Sequence, residues 1–268
     1  MKQIFTRWML VTGLIASQAH AVVADQLIDL AKPNGTRLRY LRTVDATLAP
    51  RPDIGVILFA GGQGNVRLAE GIPQPGANFL VRTRHLFAQE KLVVAVYDPS
   101  PDIGSLSDQA RMSGPHADEV AQVLAHLKQE TGVRLVYLVG TSRGTISVAH
   151  LALALPDQVD GVVLTSTLFQ ASRAGPGLSG FDFSTIRQPL LFVHHVADGC
   201  KTTPPHTART LSGHYPVVWV GGQQESGGDA CGPFSAHGYL GHEPATVRAI
   251  ADWILRRKLP SADPLAAW

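Results

Sequence analysis

The sequence predicts an α/β protein: a mostly parallel sheet with helices on both faces, preceded by an antiparallel hairpin. Runs at 54–60, 92–97, 135–139, 159–165, 190–194 and 217–220 are largely apolar and alternate with stretches of helical periodicity. Strands that are apolar along their whole length are covered on both faces, as in a parallel sheet between two helix layers. The 268 residues and 45% hydrophobic content suffice for one large core. The run 135–139 also leads straight into Gly140-Thr141-Ser142-Arg143-Gly144 and then into a helical stretch, 145–155. In such sheets the chemistry gathers beyond the carboxyl ends of the strands.

In chain order, Lys2 and Arg7 flank the start of an apolar stretch, 8–16, that is too short to span a membrane. Ala19 and Ala21 then supply small residues where a signal peptidase looks for them. Residues 1–21 are therefore expected to be a signal peptide and 22–268 a single exported domain, periplasmic or secreted. Polar-apolar alternation at 26–30 and 37–43, around Pro33-Asn34-Gly35, predicts the hairpin. Helices are expected at 78–89, at 115–130 with Pro115 in the first turn, at 145–155 and at 245–256.

The leader carries two basic residues and no acidic one, so 22–268 holds 21 Lys+Arg against 21 Asp+Glu. A neutral chain of this kind points away from nucleic acid and from anionic membranes as partners, and no later segment is apolar enough for stable membrane anchoring. In an exported chain the pair Cys200 and Cys231 predicts a disulfide, and with no C-x-x-C pair it is a poor start for a metal site.

A serine hydroxyl is a poor nucleophile near neutral pH unless a base takes its proton and a third group orients that base. Ser142 sits where a strand-turn-helix would expose it. Asp198 closely follows the strand 190–194, whereas Asp182 precedes that strand and Asp229 lies in a glycine-rich loop. Two histidines lie between the last strand and the final helix. His237 can project from the loop, and His242 stands almost at the start of the helix, so His237 is the expected base. His194 and His195 read as strand-end histidines with structural hydrogen bonds, because no third and fourth metal ligand accompanies them. A developing oxyanion needs fixed backbone donors. Ala60-Gly61-Gly62-Gln63-Gly64 after an early strand offers the amide of Gly62 or Gln63, and the elbow offers that of Arg143. The same glycines lack the spacing of a dinucleotide or phosphate loop, and no cofactor is expected.

On Gly140-Thr141-Ser142-Arg143-Gly144, Asp198, His237 and Gly61-Gly62-Gln63, the chain resembles the α/β-hydrolases over nearly all of residues 22–268. It departs from many of them in having Ala60 where a histidine often precedes the oxyanion glycines. The resemblance implies acyl transfer through an acyl-serine, usually to water. Only about twenty residues, 169–188, lie where the family commonly inserts a cap, so no sizeable cap is expected and the site should be open to small-molecule esters of varied size. A peptidase or amidase on the same residues, and a catalytically silent binding protein on the same fold, are the competing readings.

Overall fold

The structure, a computed structural model, describes residues 22–48, 51–71, 78–222 and 228–259. The expected signal peptide, 1–21, lies outside the described residues, as do 72–77 and 223–227.

The alternating runs form β1 (Val23–Ala31) and β2 (Arg37–Asp45), each longer than the alternation suggested. They pair antiparallel from Val23 opposite Asp45 to Ala31 opposite Arg37. Gly35 closes their turn with φ 84°, a conformation glycine adopts without strain. Lys32 fastens the turn to the body through Asp102 (2.6 Å) and the buried Glu119 (2.7 Å).

The apolar runs become β3 (Ile54–Phe59), β4 (Val93–Asp98), β5 (Leu135–Thr141), β6 (Gly161–Thr165), β7 (Leu190–His195) and β8 (Val217–Val220). One eight-stranded sheet results, in the order β1-β2-β4-β3-β5-β6-β7-β8. Only the β1–β2 and β2–β4 pairings are antiparallel.

The helices are α1 (Phe79–Arg82), α2 (Arg84–Gln89), α3 (Asp108–Arg111), α4 (Gly114–Thr131), α5 (Gly144–Ala154), α6 (Pro205–Leu211) and α7 (Glu243–Arg256). Strand side chains alternate between two cores. Ile57 and Phe59 meet Val120, Leu124 and Ile146 of α4 and α5, while Val56 and Leu58 join the core that holds Phe79, Phe87, Ile250 and Ile254 of α1, α2 and α7. The α7 stripe Val247, Ile250, Ala251 and Ile254 has helical spacing, and each of its larger side chains contributes about 1.5–3 kcal/mol by leaving water.

The single helix expected at 78–89 is two short ones. Asn78 caps the first by accepting from Leu80 N, and Thr83 separates them with its hydroxyl donating to the Phe79 carbonyl at 2.7 Å. A hydroxyl bonded back to the preceding turn competes with the regular ladder. The short α3 and α6 had no periodicity long enough to announce them. Residues 169–188 hold only a β-bridge between Ser172 and Gly175 and a 3₁₀ turn at Phe183–Thr185, so there is no large cap.

Both glycines flanking Ser142 are required by packing. A Cβ on Gly140 would lie 2.5 Å from Gly144 O, and one on Gly144 would be driven into the backbone carbonyl of Phe59. Because the clash is with β3 backbone, Gly144→Ala should cost about 3 kcal/mol or more in urea unfolding. A stability within error of the parent would show that α5 can move away from the sheet.

Candidate active site

At the end of β5 the chain turns through Ser142 at φ 53°, a left-handed conformation that costs a non-glycine residue about 1–2 kcal/mol. Neighbouring structure holds it there. Ser142 N donates to Thr165 O of β6 (3.0 Å), and Thr145 donates to Ser142 O from both its amide (2.9 Å) and its hydroxyl (2.6 Å). Ser142 lines a cleft of about 210 Å³ with Gly61, Gly62, Asn78, Phe79, Thr141, Cys231, Pro233, His237 and Gly238. A larger hollow of about 400 Å³ lies at the opposite, amino edge of the sheet, around Val44, Val93 and Thr131. Size does not select the site; the reactive groups do.

Asp198 is buried three residues beyond β7. Its Oδ1 accepts from Cys200 N (2.9 Å), and its Oδ2 accepts from Thr203 Oγ1 (2.9 Å) and faces His237 Nδ1 at 3.1 Å. Thr203 Oγ1 also lies 3.1 Å from His237 Nδ1. A carboxylate opposite Nδ1 makes that nitrogen the proton-bearing one and leaves Nε2 as the acceptor. The histidine stands on a 3₁₀ turn, Ala236–Gly238, capped by Ser235.

The backbone around His237 is clamped on both sides. Its carbonyl accepts from Ser166 Oγ (2.8 Å), and Gly238 O accepts from Arg82 Nη2 (2.6 Å). Tyr239, itself at φ 57°, donates its hydroxyl to Val193 O (2.7 Å) and receives Ser166 N (3.0 Å). Burial pushes the Tyr239 hydroxyl well above its ordinary range, so it remains a neutral donor. Ser142 and His237 share the cleft, and among the described residues the serine hydroxyl has no hydrogen-bond partner. Such contacts commonly tighten only when substrate binds.

The alternatives lie elsewhere. Asp182 caps the 3₁₀ turn at Phe183–Thr185, and Asp229 is exposed and accepts from Cys231 N at 3.0 Å. His242 is the N-cap residue of α7, packed on Gly222 and beside His195 with ring centroids 5.4 Å apart. His194 Nε2 accepts from Thr167 N (3.2 Å), and its ring stacks on Phe169. His195 Nδ1 accepts from Ala197 N (3.1 Å), which puts its proton on Nε2 and removes that nitrogen as a metal ligand. Burial lowers His194 to about 3 and His195 to about 4.

Of the two early-loop amides, Gly62 lines the cleft and Gln63 does not. Gly61 packs so closely on Ser142 that a Cβ there would lie 3.1 Å from the serine Cβ. The amides of Gly62 and Arg143 donate to no acceptor among the described residues. The Arg143 side chain turns away to Asp108, with Nε 3.0 Å from Oδ1.

Cys200 and Cys231 are joined in a disulfide with Cα atoms 4.6 Å apart. It ties the Asp198 loop to the segment leading to His237. Sequence reasoning missed Thr203, Ser166, Tyr239 and Arg82, which hold Asp198 and the backbone around His237 in place. Only nearness in the chain, Thr203 to Asp198 and Tyr239 to His237, could have suggested any of them.

A family model described as alpha/beta hydrolase fold matches residues 97–201, a span that includes Ser142 and Asp198 and stops before His237. None of the curated proteins matches the chain at a significant level. Among solved structures, an α/β serine hydrolase without a lid from Xanthomonas campestris is 15% identical, with TM-score 0.58 over 89% of this chain and 97% of that one. Est1E from Butyrivibrio proteoclasticus is 13% identical, with TM-score 0.59 over 86% and 98%. A cold-adapted esterase from an Arctic intertidal metagenomic library is 14% identical, with TM-score 0.56 over 88% and 96%. Similarity at this level of identity speaks for the fold.

Proposed function

We propose, from the premise that the chain has the α/β-hydrolase fold without a sizeable cap, that it is a serine hydrolase cleaving carboxylic esters. The observation that carries the reading is the buried His237–Asp198 pair at 3.1 Å, opening on the same cleft as the strained Ser142. Ser142 Oγ attacks the ester carbonyl while His237 Nε2 takes its proton, and Asp198 orients the ring and stabilises its charged form. The amides of Gly62 and Arg143 receive the oxyanion. His237 then protonates the departing alcohol, and water drawn through the same base releases the acid from Ser142.

The esterase and serine-hydrolase descriptions of the structural neighbours favour this chemistry, and the open cleft suits small esters of varied shape. The leader pattern at 1–21 and the disulfide both support an exported protein. The test is labelling with a fluorophosphonate, followed by peptide mass analysis and by parallel panels of p-nitrophenyl esters and anilides. The expected result is label on the peptide containing Ser142 and turnover of esters well above anilides. Dominant anilide turnover would make it an amidase, and no labelling would leave a binding protein.

The disulfide adds a prediction. Chain-entropy arithmetic for a loop of sequence separation 31 gives about 3–4 kcal/mol, so Cys200→Ser with Cys231→Ser should lower the melting temperature. It should also lower kcat, because Cys200 N donates to Asp198 Oδ1 and Cys231 lines the cleft. Two thiols that alkylate in the native protein would remove the bridge and this prediction with it.

A further inference from the structure

Among the described residues, Arg111 is the largest fully buried side chain, 1% exposed at the end of α3. Four hydrogen bonds hold its guanidinium. Nε donates to Leu106 O (3.2 Å), Nη1 to Ser147 Oγ (3.0 Å), and Nη2 to both Ala60 O (3.4 Å) and Gly62 O (3.2 Å). Every one of these partners is a carbonyl or hydroxyl oxygen. The nearby Asp108 is committed elsewhere, with Oδ1 to Arg143 and Oδ2 to Gly177 N (2.9 Å). Burial and the neighbouring Arg143 push Arg111 down to about 9, which leaves it a cation at neutral pH. A buried cation with no carboxylate hydrogen-bonded to it, only the charge of Asp108 nearby, is costly where an apolar side chain could fill the same space.

What the guanidinium grips is the loop that carries a proposed oxyanion donor. Three successive carbonyls there are fixed: Ala60 O and Gly62 O by Arg111, and Gly61 O by Gly64 N at 3.0 Å. In a planar trans peptide the N–H points opposite to its own C=O, so tying down Gly61 O directs Gly62 N–H the other way. Gly62 is at φ 59°, and the two glycines have no side chains to restrict them; Arg111 steadies the peptides on either side of this one through Ala60 O and Gly62 O. Gly64 packs against the same group, where a Cβ would lie 2.7 Å from Arg111 Nη2. The bond from Nη1 to Ser147 reaches α5, one turn beyond Arg143, whose amide is the other proposed donor.

We propose that Arg111 is a positioning residue that fixes the Gly62 and Arg143 amides relative to one another, and so sets the geometry of the oxyanion site. The inference rests on the serine-hydrolase reading above. Arg111 acts through the loop and the helix, without touching substrate.

The test uses Arg111→Met and Arg111→Lys. Exhaustive fluorophosphonate titration counts working sites, steady-state turnover of p-nitrophenyl acetate gives kcat per site, and a trifluoromethyl ketone, which presents a tetrahedral oxyanion on Ser142, reports the oxyanion site directly. Arg111→Met should lower kcat per titrated site by about 10–100-fold with KM little changed, and weaken the ketone in parallel with kcat/KM. Arg111→Lys keeps the charge but cannot span Gly62 O and Ser147 Oγ together, so it should recover only part of the loss. Should the methionine variant fail to fold, the lysine variant carries the same three readouts. A purely structural role would lower the melting temperature and the number of titratable sites while each remaining site worked normally, and that result overturns the proposal. An unlabelled parent enzyme would instead overturn the hydrolase reading itself.

Discussion

Ser142→Ala is expected to lower kcat for short activated esters by about 10⁴-fold or more while leaving the fold intact, because members of the proposed triad would act as a unit. The stability side follows from local structure. The hydroxyl has no hydrogen-bond partner among the described residues, so its removal leaves no buried group unsatisfied. Alanine keeps the Cβ, so the left-handed strain at φ 53° and the contact with Gly61 are unchanged. A melting curve superimposable on that of the parent, together with loss of p-nitrophenyl acetate turnover and of fluorophosphonate labelling, is the expected pair of results. Turnover near the parental rate in the alanine variant would remove Ser142 as the nucleophile.

The sheet was legible because its strands are covered on both faces. Val56, Ile57, Leu58 and Phe59 are all buried, two towards each helix layer, so an unbroken apolar run was the right signal. The elbow was legible for a related reason. A Cβ on Gly140 would meet the backbone of Gly144, and one on Gly144 the backbone of Phe59, and a requirement for two missing side chains shows in a sequence as two glycines. The division at Thr83 was not legible, since a threonine hydroxyl bonded to its own preceding turn leaves the surrounding helical periodicity intact.

The supports of the site were hidden for a different reason. Ser166 reaches His237 across 71 positions, and Arg111 reaches Gly62 across 49. Neither contact leaves a pattern in its own neighbourhood. Ser166 and Tyr239 also hold left-handed backbone, at φ 43° and 57°, that no local residue preference announces. Position relative to strands and helices singled out Asp198, rather than Asp182 or Asp229, as the carboxylate that faces His237 Nδ1. It could not separate Gly62 from Gln63, because neighbouring amides of one loop differ only in which way their peptide planes are turned.

His237→Ala should be about as damaging as Ser142→Ala, and the double variant no worse than either single one, since a base without its nucleophile has nothing left to lose. The fold should survive, because Asp198 keeps two donors, Cys200 N at 2.9 Å and Thr203 Oγ1 at 2.9 Å, when the imidazole is gone. The clamp on the turn is also made by backbone: Ser166 holds the residue 237 carbonyl and Arg82 that of Gly238, whatever side chain is present. His242→Ala is the matched control. That histidine makes no capping bond from its side chain, does not line the cleft, and sits on Gly222 against α7. Its loss should reduce stability by about 1 kcal/mol through packing and leave kcat near the parental value. Steady-state rates on one ester, normalised to the folded fraction from circular dichroism, separate the two histidines. An inactive His242 variant beside an active His237 variant would place the base at the start of α7 and leave the buried His237–Asp198 pair as a structural contact.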